Sequence, residues 1–260
     1  MDYGFYGWQS ADVRDKNGLT PRELYGMLLH VWSAETCAPR MRDDWSEKNP
    51  TLGQCSITAF LVQDLFGGRV YGVPLGDGNF HCYNAVDGCV FDLTSEQFGD
   101  QKLDYENNLE QFREVHFAKE EKHRRYWLLR EKLLSDYAVF LKHSGCNCCQ
   151  AVLCAYASQL GTEPDVLKRF GAGFGVGMGC MEATCGALCA AEMILGLKQY
   201  QGAPILKNAR TMHAAFAAAC GASVCKDLKG LATGQVLCEC DDCVRSAVRI
   251  IEEQVFQNLV

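Results

Sequence analysis

The chain has 260 residues, 48% hydrophobic and 22% charged, enough length and apolar content to bury a core in one or two domains. Its formal net charge is -7 with no basic run, so nucleic acid is not expected as a partner, because phosphate binding needs clustered Lys and Arg. No apolar run approaches the roughly 18 residues of a membrane span, and the opening MDYGFYGWQSADVRDKNG lacks the apolar core of a signal peptide, so a cytoplasmic location is expected.

The first half mixes helix and strand signals. Residues 21–32 (PRELYGMLLHVW) read as a helix with Pro21 in its first turn. Residues 55–66 (CSITAFLVQDLF) place Ile57, Phe60, Leu61 and Leu65 on one stripe, and Gly67-Gly68 ends the helix. RVYGVPL, FHCYNAV and CVFDLT follow as strands, the last two separated by the hairpin signal Asp87-Gly88. Residues 118–142 read as a long charged amphipathic helix with a solvated face. Beyond them small residues and cysteines dominate, in helical pieces such as CQAVLCAYASQL, CGALCAAEMILG, ARTMHAAFAAAC and VRSAVRIIEEQV. The glycine-rich GAGFGVGMG at 171–179 contains no GxxxxGK[ST] and reads as close packing or a loop hugging a ligand. The expected organisation is an α+β domain over 1–117, a connecting helix over 118–142 and an all-α cysteine-rich bundle over 143–260.

Sixteen cysteines are many for a reducing compartment, where they more often mean metal or catalysis than disulfides. Residues 1–145 hold four, Cys37, Cys55, Cys82 and Cys89; the remaining 115 residues hold twelve.

Cys55 opens a predicted helix, where the positive end of the dipole favours thiolate. If Asp87-Gly88 is a two-residue turn, Val86 pairs with Cys89 and Tyr83 with Asp92. His81 and Asp92 are then diagonal neighbours on one face, within side-chain reach, which supplies the base and the orienting group that a nucleophilic thiol needs. The plain alternative makes Cys55 core filler, His81 a satisfied surface histidine and Asp92 a turn or cap residue. The text from Val31 to Phe98 (VWSAETCAP, WSEKNPTLGQCSITAFLVQDLFGG, HCYN, FDLTSEQF) resembles the bacterial YunG family. The Cys–His–Asp order also resembles papain-like and transglutaminase-like enzymes. These resemblances imply a papain-like module with Cys55 as nucleophile, His81 as base and Asp92 as orienter, and Gln54 as oxyanion support, acting on a small-molecule or peptide substrate.

In the second half, Cys146 and Cys149 form a C-x-x-C, as do Cys240 and Cys243, but about 90 residues apart, so the zinc-ribbon signal is weak. Cys185 and Cys189 are four apart and expected on one helix face. NCCQAV, GFGVGMGCMEATCGAL, CKDLKG and CVRSAV resemble the redox-active family named for its C…GCAxxG…C…C pattern. The resemblance implies Cys148, Cys185, Cys225 and Cys243 as the four cysteines of a cofactor site. A similar domain carries an iron–sulfur centre in the split-Soret cytochromes. Haem is not expected, because no C-x-x-C-H occurs.

The family's glycine after the central cysteine is Ala190 here, and eight further cysteines are present. Of these, Cys146, Cys149, Cys180, Cys189 and Cys240 are further candidate ligands of an iron–sulfur cluster. Zinc is the alternative, as is thiol–disulfide exchange without metal. Packing accounts for Cys154 and Cys220. Asp241 and Asp242 are expected to disfavour thiolate at Cys240 and Cys243. The favoured function is redox chemistry or electron transfer at the cluster, with a redox partner protein, fused to an acyl or amide hydrolase or transferase. The competing readings are a cysteine hydrolase with a structural zinc or thiol-redox bundle, and a noncatalytic metal-binding or thiol-buffering protein. A homo-oligomer is compatible with all three.

Overall fold

The computed structural model describes residues 4–76 and 78–257. The chain divides into two compact units, residues 1–133 and 134–260. The division falls inside one helix, within the segment expected to connect two domains.

In the first unit, helix α1 (Pro21–Val31) starts at Thr20, whose side chain accepts from the Glu23 N–H while the Glu23 carboxylate accepts from Thr20 N–H, a reciprocal cap with Pro21 at the first helical position. Its Leu24, Tyr25 and Leu28 are buried. Helix α2 (Cys55–Phe66) buries Ile57, Phe60, Leu61 and Leu65, the predicted stripe, together with Ala59 and Val62, and ends at Gly67. Strands β1 (Arg69–Pro74), β2 (Phe80–Val86), β3 (Cys89–Phe91) and β4 (Leu109–Glu110) form an antiparallel sheet in the order β3-β2-β1-β4.

The hairpin has the expected register, Val86 opposite Cys89, with φ of 48° at Asp87 and 82° at Gly88. Two consecutive positive φ angles match the right-handed twist of the strands. The strand β2 lies against α2, where buried Asn84 donates to the Ala59 carbonyl at 2.8 Å. That bond fixes the height of β2 along α2, and so the height of His81 relative to Cys55. A short helix α3 (Arg113–Phe117) leads into α4 (Glu120–His143). Asp64 of α2 gathers Arg113 at 2.5 Å, Arg130 at 3.1 Å and the Tyr126 hydroxyl, so α3 and the middle of α4 are ion-paired to α2.

The second unit is helical: α5 (Cys148–Ala155), α6 (Ala157–Leu160), α7 (Pro164–Gly171), α8 (Gly175–Met178), α9 (Gly186–Gln199), α10 (Leu206–Cys220), α11 (Cys225–Leu228) and α12 (Cys240–Ile251). Its core is small-residue packing of α5, α9 and α12 through Ala151, Val152, Ala187, Ala191, Val244 and Ala247. Ala190 is fully buried in that packing. One isolated bridge, Thr184 to Val224, joins the segments before α9 and α11. The α+β and helical classes therefore hold for the two units as expected. Among the described residues no helix is long and apolar enough to cross a membrane.

Candidate active site and thiol centre

Cys55 is the first residue of α2 and is half-buried on the wall of a cavity of about 530 Å³. His81 lines the same cavity from β2. Its Nε2 lies 2.5 Å from Asp92 Oδ2, both residues being buried. Asp92 is held in turn: Thr94 N–H and hydroxyl donate to Oδ1 at 2.9 and 3.1 Å, and the Tyr105 hydroxyl donates to Oδ2 at 2.9 Å. Phe98 meets the imidazole edge-on at 4.7 Å between ring centroids. The second ring nitrogen, Nδ1, is buried with no hydrogen-bond partner among the described residues, and the Cys55 thiol interacts electrostatically with the ring.

This geometry sets the protonation states. Burial pushes the Cys55 thiol up, but the polar ring and charge of His81 and the N–H of Cys82 outweigh it and bring the thiol below its ordinary value. Burial pushes His81 down, while Asp92 and Cys55 raise it to about 10. Both shifts favour a thiolate paired with an imidazolium, the form that attacks electrophiles. Gln54 behaves differently from the other three. It is fully buried, donates from Nε2 to the Ser33 carbonyl at 3.1 Å, and does not line the cavity. Gln97 lines it instead, its amide donating to Thr94 O at 2.8 Å.

In the second unit Cys148, Cys185, Cys225 and Cys243 all line one cavity of about 240 Å³, together with Cys240. Each arrives from a helix start: Cys148 and Cys225 open α5 and α11, Cys185 caps α9, and α12 supplies Cys240 and Cys243. Helix starts present free N–H groups to anions. Cys185 therefore lies just outside α9 and not on its side with Cys189. It accepts from Cys148, from Cys243 and from the N–H groups of Ala187 and Leu188, which outweigh burial and lower it to about 3.

Two glycines allow the close approach. A Cβ on Gly186 would sit 2.6 Å from Cys148 Sγ and 2.5 Å from Phe174 O, and one on Gly177 would sit 2.6 Å from Cys225 Cβ. Val176, immediately before Gly177 in the chain, has φ of 54°, a costly conformation for a β-branched residue. Its N–H reaches the Cys148 sulfur. The 171–179 segment is thus both close packing and part of the cavity wall.

The remaining cysteines divide. Cys220, Cys238 and Cys243 place their sulfurs within 4.8 Å of one another, and the polar side chains of Cys243, Ser246 and Cys238 around Cys220 favour its charged form and lower it to about 6. Neither Cys220 nor Cys238 was picked out by the sequence pattern; both lie outside the matched motif words, and the alanine run before Cys220 looks like packing. Cys146 hydrogen-bonds Cys154, Cys149 is buried near Cys189, and exposed Cys180 donates to Gly177 O, so none of these lines the cavity. The expected penalty from Asp241 is offset, because Lys142 and His143 pair with it at 2.8 and 2.9 Å. Lys142 and Lys229 also line the cavity.

The α+β unit carries a thiol beside a buried His–Asp pair, and the helical unit carries a thiol-lined cavity. Residues 20–138 match the family model described as "YunG protein", and residues 146–254 match that described as "Putative redox-active protein (C_GCAxxG_C_C)". "Uncharacterized protein YunG" of Bacillus subtilis (strain 168) is 39% identical over 72 residues, 28% of this chain and 57% of that protein. The chain thus spans less than two thirds of that relative's length. No solved structure matches. The chain joins a YunG-like segment to one similar to a redox-active family, and the second match supports a redox-related role.

Proposed function

We propose that the helical unit is a redox centre whose cysteine thiolates hold an iron–sulfur cluster, and that the α+β unit is a cysteine-nucleophile hydrolase or acyltransferase. One observation carries the first half: Cys148, Cys185, Cys225 and Cys243, spread over 96 positions of chain (243 − 148 + 1), line a single cavity. Four thiolates are the donor set an iron–sulfur cluster takes, and thiol ligation is soft enough to favour iron. The donors fit in charge as well. Lys142 and Lys229 line the cavity and no carboxylate does among its described lining residues, so the negative charge of four thiolates is offset. When bound, the cluster supplies one-electron exchange. The chain's own part is to keep Cys185 ionised, to hydrogen-bond Cys148 through Val176 N–H, and to limit solvent through Met181 and Leu228.

The trio Cys220, Cys238 and Cys243 favours a second reading for part of this unit. Sulfurs within 4.8 Å of one another suit a single tetrahedral ion, since Zn–S bonds of about 2.3 Å put sulfurs roughly 3.8 Å apart. Anaerobic purification with iron, zinc and acid-labile sulfide analysis separates the two: equal iron and sulfide with visible charge-transfer absorption supports the cluster, whereas zinc without sulfide replaces it.

The α+β unit is read from the Cys55–His81–Asp92 geometry and from its likeness in order to papain-like and transglutaminase-like enzymes. The Cys55 thiolate attacks the carbonyl carbon of an amide or ester and a C–S bond forms. The His81 imidazolium gives its proton to the leaving nitrogen or oxygen as that bond breaks. His81, now neutral, takes a proton from water or an acceptor amine, which attacks the thioester and returns the thiolate as the acid or new amide departs. Asp92 keeps the imidazole oriented throughout, held by Thr94 and Tyr105.

A further inference from the structure

The wall of the Cys55 cavity is cationic in a chain whose formal net charge is -7. Arg40, Lys119, Lys122 and Arg125 line it, and among its described lining residues there is no Asp or Glu. Arg125 is engaged elsewhere, with the Thr36 carbonyl at 3.0 Å and the Glu121 carboxylate at 2.7 Å. Lys122 is not. It is half-buried, and among the described residues no carboxylate pairs with it.

The contact that Lys122 does make is to a neutral group. Its ammonium lies 3.0 Å from His116 Nδ1, while His116 Nε2 lies 3.1 Å from Gln111 Oε1. Burial first, then the charges of Lys122 and Lys119, hold His116 down to about 4, so at neutral pH it carries no charge. The proton is then on Nε2, donating to Gln111, and Nδ1 accepts from Lys122. His116 occupies one of three ammonium protons and leaves two for a ligand. A half-buried ammonium held by a neutral histidine has no carboxylate among the described residues to offset its desolvation, and only the sulfurs of Cys82 and Cys55 favour its charge. Arg40 and Lys119, both exposed, extend the same charge toward the mouth. Phe80, Phe98 and Met41 make the rest of the wall apolar, and about 530 Å³ is the size of a small-molecule site.

We propose that the Cys55 cavity takes an anionic acyl substrate, an amide or ester whose carboxylate is bound by Lys122 with Lys119 and Arg40 while its carbonyl faces the Cys55 sulfur. This rests on the reading of Cys55 as a nucleophile, and the test keeps the two apart.

The full chain is alkylated at low salt and neutral pH with iodoacetate, which is anionic, or iodoacetamide, its neutral counterpart, and the rate at Cys55 is followed by peptide mass spectrometry. The ratio of the two rates cancels any change in thiolate population. Relative to 2-mercaptoethanol, the iodoacetate-to-iodoacetamide ratio at Cys55 is expected to be raised, and to fall about fivefold in Lys122→Gln and by less in Lys119→Gln, the yield of one charge several ångströms away in a partly solvated site. Raised salt should lower it further. Lys119 is exposed, so its variant serves even if Lys122→Gln fails to fold. A ratio unmoved by both substitutions and by salt overturns the anionic substrate while a fast, low-pH reaction with iodoacetamide leaves the nucleophile standing. Ordinary-thiol rates with both reagents overturn the nucleophile itself, and the inference with it.

Discussion

The two units activate sulfur by different means. In the α+β unit one thiol faces one base, and the charge on Cys55 is matched by the imidazolium of His81, itself backed by Asp92. In the helical unit thiols face thiols. Cys185 is ionised because Cys148, Cys243 and the start of α9 donate to it, but the same contacts push Cys148 and Cys243 up. A thiolate there makes its neighbours harder to deprotonate, so full ionisation of the set would need a bound cation such as the proposed cluster. The first site pairs a thiol with a base; the second lines a cavity with thiols, which is the donor set that the proposed cluster would take.

Breaking each site at its source of charge should separate them. His81→Asn removes the counter-charge of Cys55 and should slow its alkylation by iodoacetamide near pH 6 about a hundredfold, with the metal content of the helical unit unchanged. Cys185→Ser should do the reverse, removing most bound metal and leaving Cys55 alkylation as it was. Cys180→Ser, outside the cavity, should retain metal at the unsubstituted level.

Gly186→Ala sharpens the packing side of the comparison. The added Cβ would meet Cys148 Sγ at 2.6 Å and the Phe174 carbonyl at 2.5 Å, and should cost about 1–3 kcal/mol in a chemical melt.

The smallest effect concerns pH. His81 is raised in the folded state from an ordinary value of 6.5 to about 10, so its pairing with Asp92 contributes stability that is full below about 6.5 and lost as pH rises through about 10. The stability gap between the unsubstituted chain and Asp92→Asn should therefore narrow from neutral pH upward. A gap that widens instead would contradict the charged pair.

Much of the Cys55 site was legible because its parts are local in sequence. Asp87-Gly88 fixed the hairpin register, and a register fixes faces, so His81 and Asp92 followed from one turn. Gln54 was misplaced because adjacency in sequence does not set side-chain direction at a helix cap, and its amide turns to Ser33. Tyr105, Lys122 and His116 carry no motif and reach the site from the segment after β3 and from the helices after β4. In the helical unit the resemblance picked four cysteines that line one cavity, while the trio with sulfurs within 4.8 Å of one another shares only Cys243 with them. Spacing alone suggested Cys146 with Cys149, and Cys185 with Cys189, pairs split by a helix start that turns one member inward and the other away. Cys220 meets Cys243 through the packing of α10 on α12, which no local pattern records, whereas Cys238 lies only five positions before Cys243.

The central claim is that the converged cysteines hold an iron–sulfur cluster, and metal analysis of the anaerobically purified chain tests it most directly. Iron and acid-labile sulfide in equal amounts, both lost in Cys185→Ser and in Cys243→Ser, is the predicted result. A chain without iron or sulfide, or one that keeps them in both variants, would contradict it.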